Sequence, residues 1–197
     1  RLGRRGAPVV AALACAALFP QVAFVVRKDT LSAGLGGRPR AGPVEIVVRE
    51  RGGRAAGGDG LSIVHIHPSS ILAREKFFGS PFLVYHELVR TSRAYLRRVA
   101  PASPLALALF GGALSPHSWG GAAAGGGEAV LSLGDGRVML AMPGDVAQNV
   151  REARMWLDTM WRATLERGTA CAPSEAVLEP LSRLLSERVD DGLGDAP

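Results

Sequence analysis

The sequence predicts an α+β protein, mainly β, with five short strands closed into a small barrel or sandwich between an N-terminal helix and C-terminal helices. Three observations predict it. Between Gln21 and Val99, runs rich in Val, Ile, Phe and Tyr recur between Gly- and Pro-bearing stretches, the pattern of short strands joined by turns. On either side, Ala- and Leu-rich segments change the pattern to helix. Hydrophobic residues make up 47% and charged residues 21% of 197 residues, enough apolar side chain for a packed core in a chain of this length.

The elements follow in order. Pro8–Leu18 reads as a buried helix with Pro8 near its first turn. "RLGRRGAPVVAALACAALFP" also resembles a signal peptide, but the first residue is not Met, Pro20 breaks the run, and a span needs ~20 unbroken apolar residues. Gln21–Asp29 is a strand, Leu31–Pro43 a loop, Val44–Arg51 a strand and Gly52–Gly60 a turn or loop. In Leu61–His67, alternation puts Leu61, Ile63, His65 and His67 on one face and Ser62, Val64 and Ile66 on the other. Pro81–Ser92 and Arg93–Val99 form one long strand or a bent pair.

Beyond the strands, Ser103 is a candidate N-cap, Pro104 the first helical residue and Gly111–Gly112 the stop. After the low-complexity Gly120–Glu128, two apolar runs meet at Gly134-Asp135-Gly136, a hairpin signal. A long helix follows, with Asp145 as N-cap and Gly168 as stop. Val146, Val150, Leu157, Met160, Trp161 and Leu165 share its apolar face; Arg151, Glu152, Arg154 and Asp158 lie largely off it. A weaker helix, Pro173–Val189, is interrupted by Pro180, and the tail reads as frayed.

The net charge of +5 favours an anionic partner, nucleic acid first. Against that, lysine occurs only at Lys28 and Lys76, an Arg bias that a GC-rich coding sequence also produces. Cys15 and Cys171 belong to no paired motif, so neither a disulfide framework nor a zinc spacing is expected. A reduced, intracellular compartment (nuclear, cytoplasmic or organellar) is the default.

The chemistry is that of binding. His65 and His67 project from one strand face and could ligate a metal with His86, but no carboxylate or cysteine is close in sequence. A Ser–His pair could be assembled from Ser69 or Ser70 with His67 or His86, yet Gly-x-Ser-x-Gly is absent and no orienting acid is evident. There is no phosphate loop, and "GLGGRPRAG" does not open a helix. No catalytic residue and no metal site are therefore expected. What remains is a binding cluster: His67, Pro68, Ser69 and Ser70 at a strand exit, and Thr91 and Ser92 flanked by Arg90 and Arg93, with Tyr85 and Tyr95 nearby. Hydroxyls and amides suit phosphate and sugar, Arg adds charge, and Tyr and His offer planar faces for bases. The plainer alternative makes the tyrosines core residues and the arginines a solvated face.

"HIHPSSIL", followed by "PFLVYHELVRTSRAYLRRVAPASPLALALFGG", resembles the C-terminal oligonucleotide-binding (OB)-fold domain of DEAH/RHA-type DExH-box RNA helicases. "FGG" points to the RHA-like branch, and the resemblance spans about Val9 to Arg167. It implies a five-stranded OB-like barrel with an N-terminal helix and C-terminal helices. It also implies three parts: 1–20 as the last helix of a preceding helical domain, 21–142 as the barrel with an inserted helix and hairpin, and 143–197 as helices and tail. The implied partners are single-stranded RNA, the helicase core and helical domain of a parent chain, and a glycine-rich activator protein, with no membrane. The implied RNA-binding residues are His67, Pro68, Ser69, Ser70, Thr91 and Ser92. Phosphate loop, Asp-Glu-x-His and arginine-finger motifs do not occur here, so the chain is expected to be a C-terminal fragment. It would need no cofactor, while ATP and magnesium would serve the parent's motor. A protein-docking module and a stand-alone single-strand-binding protein are the competing classes.

Overall fold

A computed structural model describes residues 6–27, 44–49, 60–75, 78–119, 127–134 and 136–167. The expected loops at 31–43 and 52–59, the low-complexity stretch 120–126, the helix at 173–189 and the tail lie outside the described residues. Two compact units are distinguished: Ala17–Ser103 with Asp190–Pro197, and Arg1–Ala16 with Pro104–Val189.

The first unit is the barrel. Its strands are β1 (Val22–Arg27), β2 (Val44–Arg49), β3 (Leu61–Ile66), β4 (Phe82–Arg90) and β5 (Ala94–Ala102). They close in the order β1-β2-β3-β5-β4 and back to β1. All pairs are antiparallel except β3 with β5, where His65 faces Tyr95 and Ile66 faces Leu96. Period-two alternation fills the interior: Ala23 from β1, Ile46 and Val48 from β2, Val64 from β3, Leu83 from β4 and Leu96 from β5 form the buried core. Each large aliphatic side chain so buried contributes about 1.5–3 kcal/mol. In β3, Val64 and Ile66 belong to the core side, while Ile63 is 56% exposed and His65 is exposed with it.

The segment read as one long strand or a bent pair is a β4–β5 hairpin, pairing Phe82 with Ala102 at one end and Arg90 with Ala94 at the other. Its tip closes through the Thr91 N–H, which donates to the Arg93 carbonyl at 2.9 Å. Its open end is tied by buried Ser80, whose Oγ donates to the Ala102 carbonyl (2.6 Å) and accepts from the Phe82 N–H (3.2 Å). Midway along both strands the alternation breaks. Tyr85 and Leu88 both pack on the core, leaving His86 and Glu87 exposed between them; Leu96 and Val99 do the same around Arg97 and Arg98. Tyr85 pairs with Val99 and Glu87 with Arg97, but His86 and Arg98 do not pair. Arg98 has φ +52°, a left-handed backbone that costs a side-chain-bearing residue about 1–2 kcal/mol.

The second unit holds α1 (Gly6–Leu18) up to Ala16, α2 (Pro104–Phe110), a sheet ordered β6-β7-β8, and α3 (Gly144–Arg167). On α1, Ala12 and Cys15 are buried while Val9, Val10 and Leu13 are exposed. Burial pushes the Cys15 thiol up to about 11, partly offset by a backbone hydrogen bond, so the thiol stays protonated and unreactive. The expected hairpin is β7 (Glu128–Leu133) with β8 (Val138–Pro143), turning through left-handed Gly134 and Gly136. The sequence reading missed β6 (Leu114–Trp119), which carries Pro116 and a register shift between Pro116 and Ser118. Proline hides the strand signal, yet β6 is an edge strand, where the missing N–H is tolerated.

α3 packs against α2, β7 and β8. Asp145 lies in its first turn and accepts the Val146 N–H at 2.9 Å. The buried stripe differs from the expected face. Ala147, Val150 and Leu157 are buried, whereas Val146 is exposed and Trp161 and Leu165 are 56% and 78% exposed. Trp161 and Leu165 prolong the Ala147–Val150–Leu157 stripe at i+4 spacing, without being covered. Arg154, expected off the apolar face, lies within it. Its Nη1 donates to the Ala108 carbonyl (3.2 Å) and its Nη2 to those of Gly111 (2.8 Å) and Gly112 (3.1 Å). Nε lies 3.5 Å from the Asp158 carboxylate. One guanidinium thus satisfies carbonyls at the C-terminal end of α2 that would otherwise be orphaned.

Candidate nucleic-acid interface

The His-Pro-Ser-Ser stretch is a compact turn at the exit of β3. The His67 N–H donates to the Leu96 carbonyl (2.9 Å), extending the strand pairing by one step. The Ser70 N–H then donates to the His67 carbonyl (2.8 Å), closing a four-residue turn with Pro68 at the position its fixed φ suits. The His67 ring locks the turn: Nδ1 accepts the Ser69 N–H at 3.1 Å and lies 2.6 Å from Ser69 Oγ. With Nδ1 accepting, the ring proton belongs on Nε2. The chain continues into a 3-10 turn, Ile71–Arg74, through the Ala73 N–H to the Ser70 carbonyl (3.0 Å). Ser70 stands at its N-cap without a side-chain capping bond.

Two features adjoin this turn. His65, Tyr95 and His67 form a row of rings, with Tyr95 in the middle at centroid distances of 6.0 and 5.8 Å. Ser69 and Ser70 also line a groove of about 610 Å³, together with Ile71, Glu87, Arg97, Arg98 and Val99. The left-handed backbone at Arg98 explains the lining. Regular alternation after Leu96 would aim Arg98 into the barrel; the turn at φ +52° sends Val99 to the core and leaves two adjacent arginines exposed. Arg97 has Glu87 opposite it, Nη1 to Oε2 at 3.7 Å. The Arg98 side chain has no hydrogen-bond or ion-pair partner among the described residues.

The structure therefore gathers His67, Pro68, Ser69 and Ser70 in one turn and sets Tyr95 beside it. Tyr85 instead packs against the barrel core, half-buried. Arg90, Thr91, Ser92 and Arg93 sit at the β4–β5 tip, exposed, with Thr91 Oγ1 donating to the Arg93 carbonyl at 3.3 Å. The tip precedes Ala94, while the groove lies at residues 97–99; since β3 and β5 run parallel, the Ser69–Ser70 turn extends away from the tip. None of the four tip residues lines the groove. Sequence reasoning missed Ile71, Glu87, Arg97 and Arg98 as groove residues. A signal for them exists: His86-Glu87 and Arg97-Arg98 are adjacent polar pairs inside otherwise alternating strands. Among the described residues, no group of three or more His, Cys, Asp or Glu gathers to hold a metal ion, and no helix is long and apolar enough to cross a membrane.

Residues 10–114 match the model of the oligonucleotide/oligosaccharide-binding (OB)-fold family, which forms the C-terminal domain of DExH-box helicases. The chain belongs to this family. The strand order of the barrel agrees with it, and so do the relatives of the chain. It is 33% identical to the DExH-box ATP-dependent RNA helicase DExH1 of Arabidopsis thaliana over 57% of its own length and 9% of that protein. It is 30% identical to the chloroplastic helicase DExH4 of the same plant over 81% of its length and 10% of the relative. It is 27% identical to the ATP-dependent DNA/RNA helicase DHX36 of Bos taurus over 80% and 13% respectively. The chain thus spans about a tenth of the length of these curated relatives.

Proposed function

We propose that this OB-fold domain is a single-stranded-RNA-binding module of an ATP-dependent DExH-box RNA helicase. The observation that carries this reading is the groove, where the Ser69–Ser70 turn, Arg97 and left-handed Arg98 converge on one side of the barrel. The Ser70 hydroxyl, which makes no capping bond, and the two guanidinium groups are donors suited to a phosphate–sugar backbone, while the Ser69 and Ser70 amides hold the turn itself. The His65–Tyr95–His67 row beside them offers faces on which bases stack. The left-handed backbone at Arg98, which carries Val99 into the core, also leaves the Arg98 guanidinium exposed in the groove, where it can meet a phosphate. In such a helicase the domain would grip RNA beside the motor core and helical domain, and ATP and magnesium would act in the motor. A second reading, docking of a protein such as a glycine-rich activator, is favoured by the exposed Met155, Trp156, Trp161 and Leu165 on α3.

The test is fluorescence-anisotropy titration of a labelled single-stranded RNA dodecamer with the 197-residue chain at several salt concentrations. Expected are saturable binding that weakens with salt, preference over a duplex of the same length, and no RNA-stimulated ATP hydrolysis. Absent or salt-independent binding would overturn the reading and leave protein docking ahead.

A further inference from the structure

We infer that the groove takes one nucleotide of the strand and reads its base as guanine. This deepens the RNA-binding reading and rests on it. Glu87 and Arg97 stand directly opposite each other on β4 and β5, both about half exposed, with Nη1 and Oε2 3.7 Å apart. That separation is too long for a hydrogen bond, and an exposed ion pair gains little from its mutual attraction. Both groups therefore keep their capacity for a ligand: a carboxylate with acceptor sites on two oxygens beside a fork of N–H donors.

The four bases meet this pair differently. Guanine offers two adjacent donors, N1–H and N2–H, which one carboxylate accepts in parallel, and an acceptor, O6, for Arg97. Adenine and cytosine each offer the carboxylate a single donor, on N6 or N4. Uracil offers only N3–H, between two carbonyl oxygens that the carboxylate repels. Single-stranded bases are read on these edges, and parallel charge-assisted pairs are the strong ones. The rest of the groove fits one nucleotide. Ile71, 94% exposed, would supply an apolar flank for the base plane, and Ser70 and Arg98, which also line the groove, would meet the phosphate. Its volume of about 610 Å³ lies in the small-ligand range of about 300–1,000 Å³.

The experiment uses the 197-residue chain and uridine dodecamers carrying one central guanosine, inosine, adenosine or cytidine, read by fluorescence anisotropy. The guanosine oligomer should bind roughly five- to tenfold more tightly than the adenosine or all-uridine one, the low end for a bidentate base contact because the groove is open. Inosine, which lacks the N2 amine, should lose most of that gain. Glu87→Gln, which removes the charge that repels the uracil carbonyls, should tighten all-uridine binding and bring guanosine to within twofold of adenosine, with thermal unfolding unchanged. Equal affinity for all oligomers, tightest binding of cytidine, or a guanosine preference that survives Glu87→Gln would each overturn the assignment while leaving RNA binding in place. Failure of every oligomer to bind would remove the RNA-binding reading and this inference together.

Discussion

Two regions of this chain bring an arginine to a break in regular structure and treat it in opposite ways. Where α3 packs on the C-terminal end of α2, Arg154 serves the fold: its guanidinium reaches the carbonyls of Ala108, Gly111 and Gly112 and the Asp158 carboxylate. At the β4–β5 bend, Arg98 sits on strained backbone with its side chain exposed and unpartnered among the described residues. The first arrangement lowers the energy of the fold; the second raises it. Stability explains the Arg154 side chain; at Arg98 the backbone turn serves the core by bringing in Val99, and the exposed guanidinium is the part left for a ligand. The local sequences, "REARMW" and "YLRRV", do not announce this difference.

The largest expected effect belongs to the α2–α3 packing. Arg154→Ala leaves partly buried carbonyls without their donor and should cost about 2–3 kcal/mol in urea unfolding of the 197-residue chain. RNA affinity of the folded variant should stay within twofold. A stability loss below about 0.5 kcal/mol would mean that water serves those carbonyls equally well, and the contrast would lose one side.

A smaller effect of opposite sign is expected at the bend. Arg98→Gly relieves the left-handed strain and should raise stability by about 1 kcal/mol, while Arg98→Ala, which keeps a Cβ, should leave it nearly unchanged. A destabilised Arg98→Gly variant would show that the arginine side chain supports the barrel after all.

The hairpin tip should give the smallest change. Thr91 Oγ1 lies 3.3 Å from the Arg93 carbonyl, a long bond, so Thr91→Ala with Ser92→Ala should cost less than about 1 kcal/mol of stability. Their combined effect on single-stranded RNA affinity should be smaller than that of Arg98→Ala, because the tip does not line the groove. A larger effect would move the RNA path to the tip.

Much of this architecture was legible in the sequence because it follows from period and punctuation. The five strands, the helix opening at Pro104, the hairpin at Gly134–Gly136 and the long helix are each marked by alternation, a cap or a turn residue. The losses have particular causes. β6 was hidden by Pro116, which reads as a strand breaker unless the strand is known to be an edge. The face of α3 was misplaced because Trp161 and Leu165 are apolar yet uncovered, and because Arg154 is polar yet packed. The Ser69–Ser70 turn was visible as a motif. For its companions Glu87, Arg97 and Arg98, the polar pairs His86-Glu87 and Arg97-Arg98 mark the break in alternation, but the parallel β3–β5 pairing that brings them beside the turn does not follow from local sequence.

The most direct test of the account is the salt dependence of single-stranded RNA affinity for three proteins: the unaltered chain, Arg98→Ala and Arg154→Ala. A phosphate contact released from a single strand lowers the slope of log affinity against log salt by roughly 0.7. Arg98→Ala should bind more weakly with a slope reduced by about that amount, and folded Arg154→Ala should keep its slope unchanged. An unchanged slope and affinity for Arg98→Ala would contradict it, because the strained arginine would then hold no phosphate.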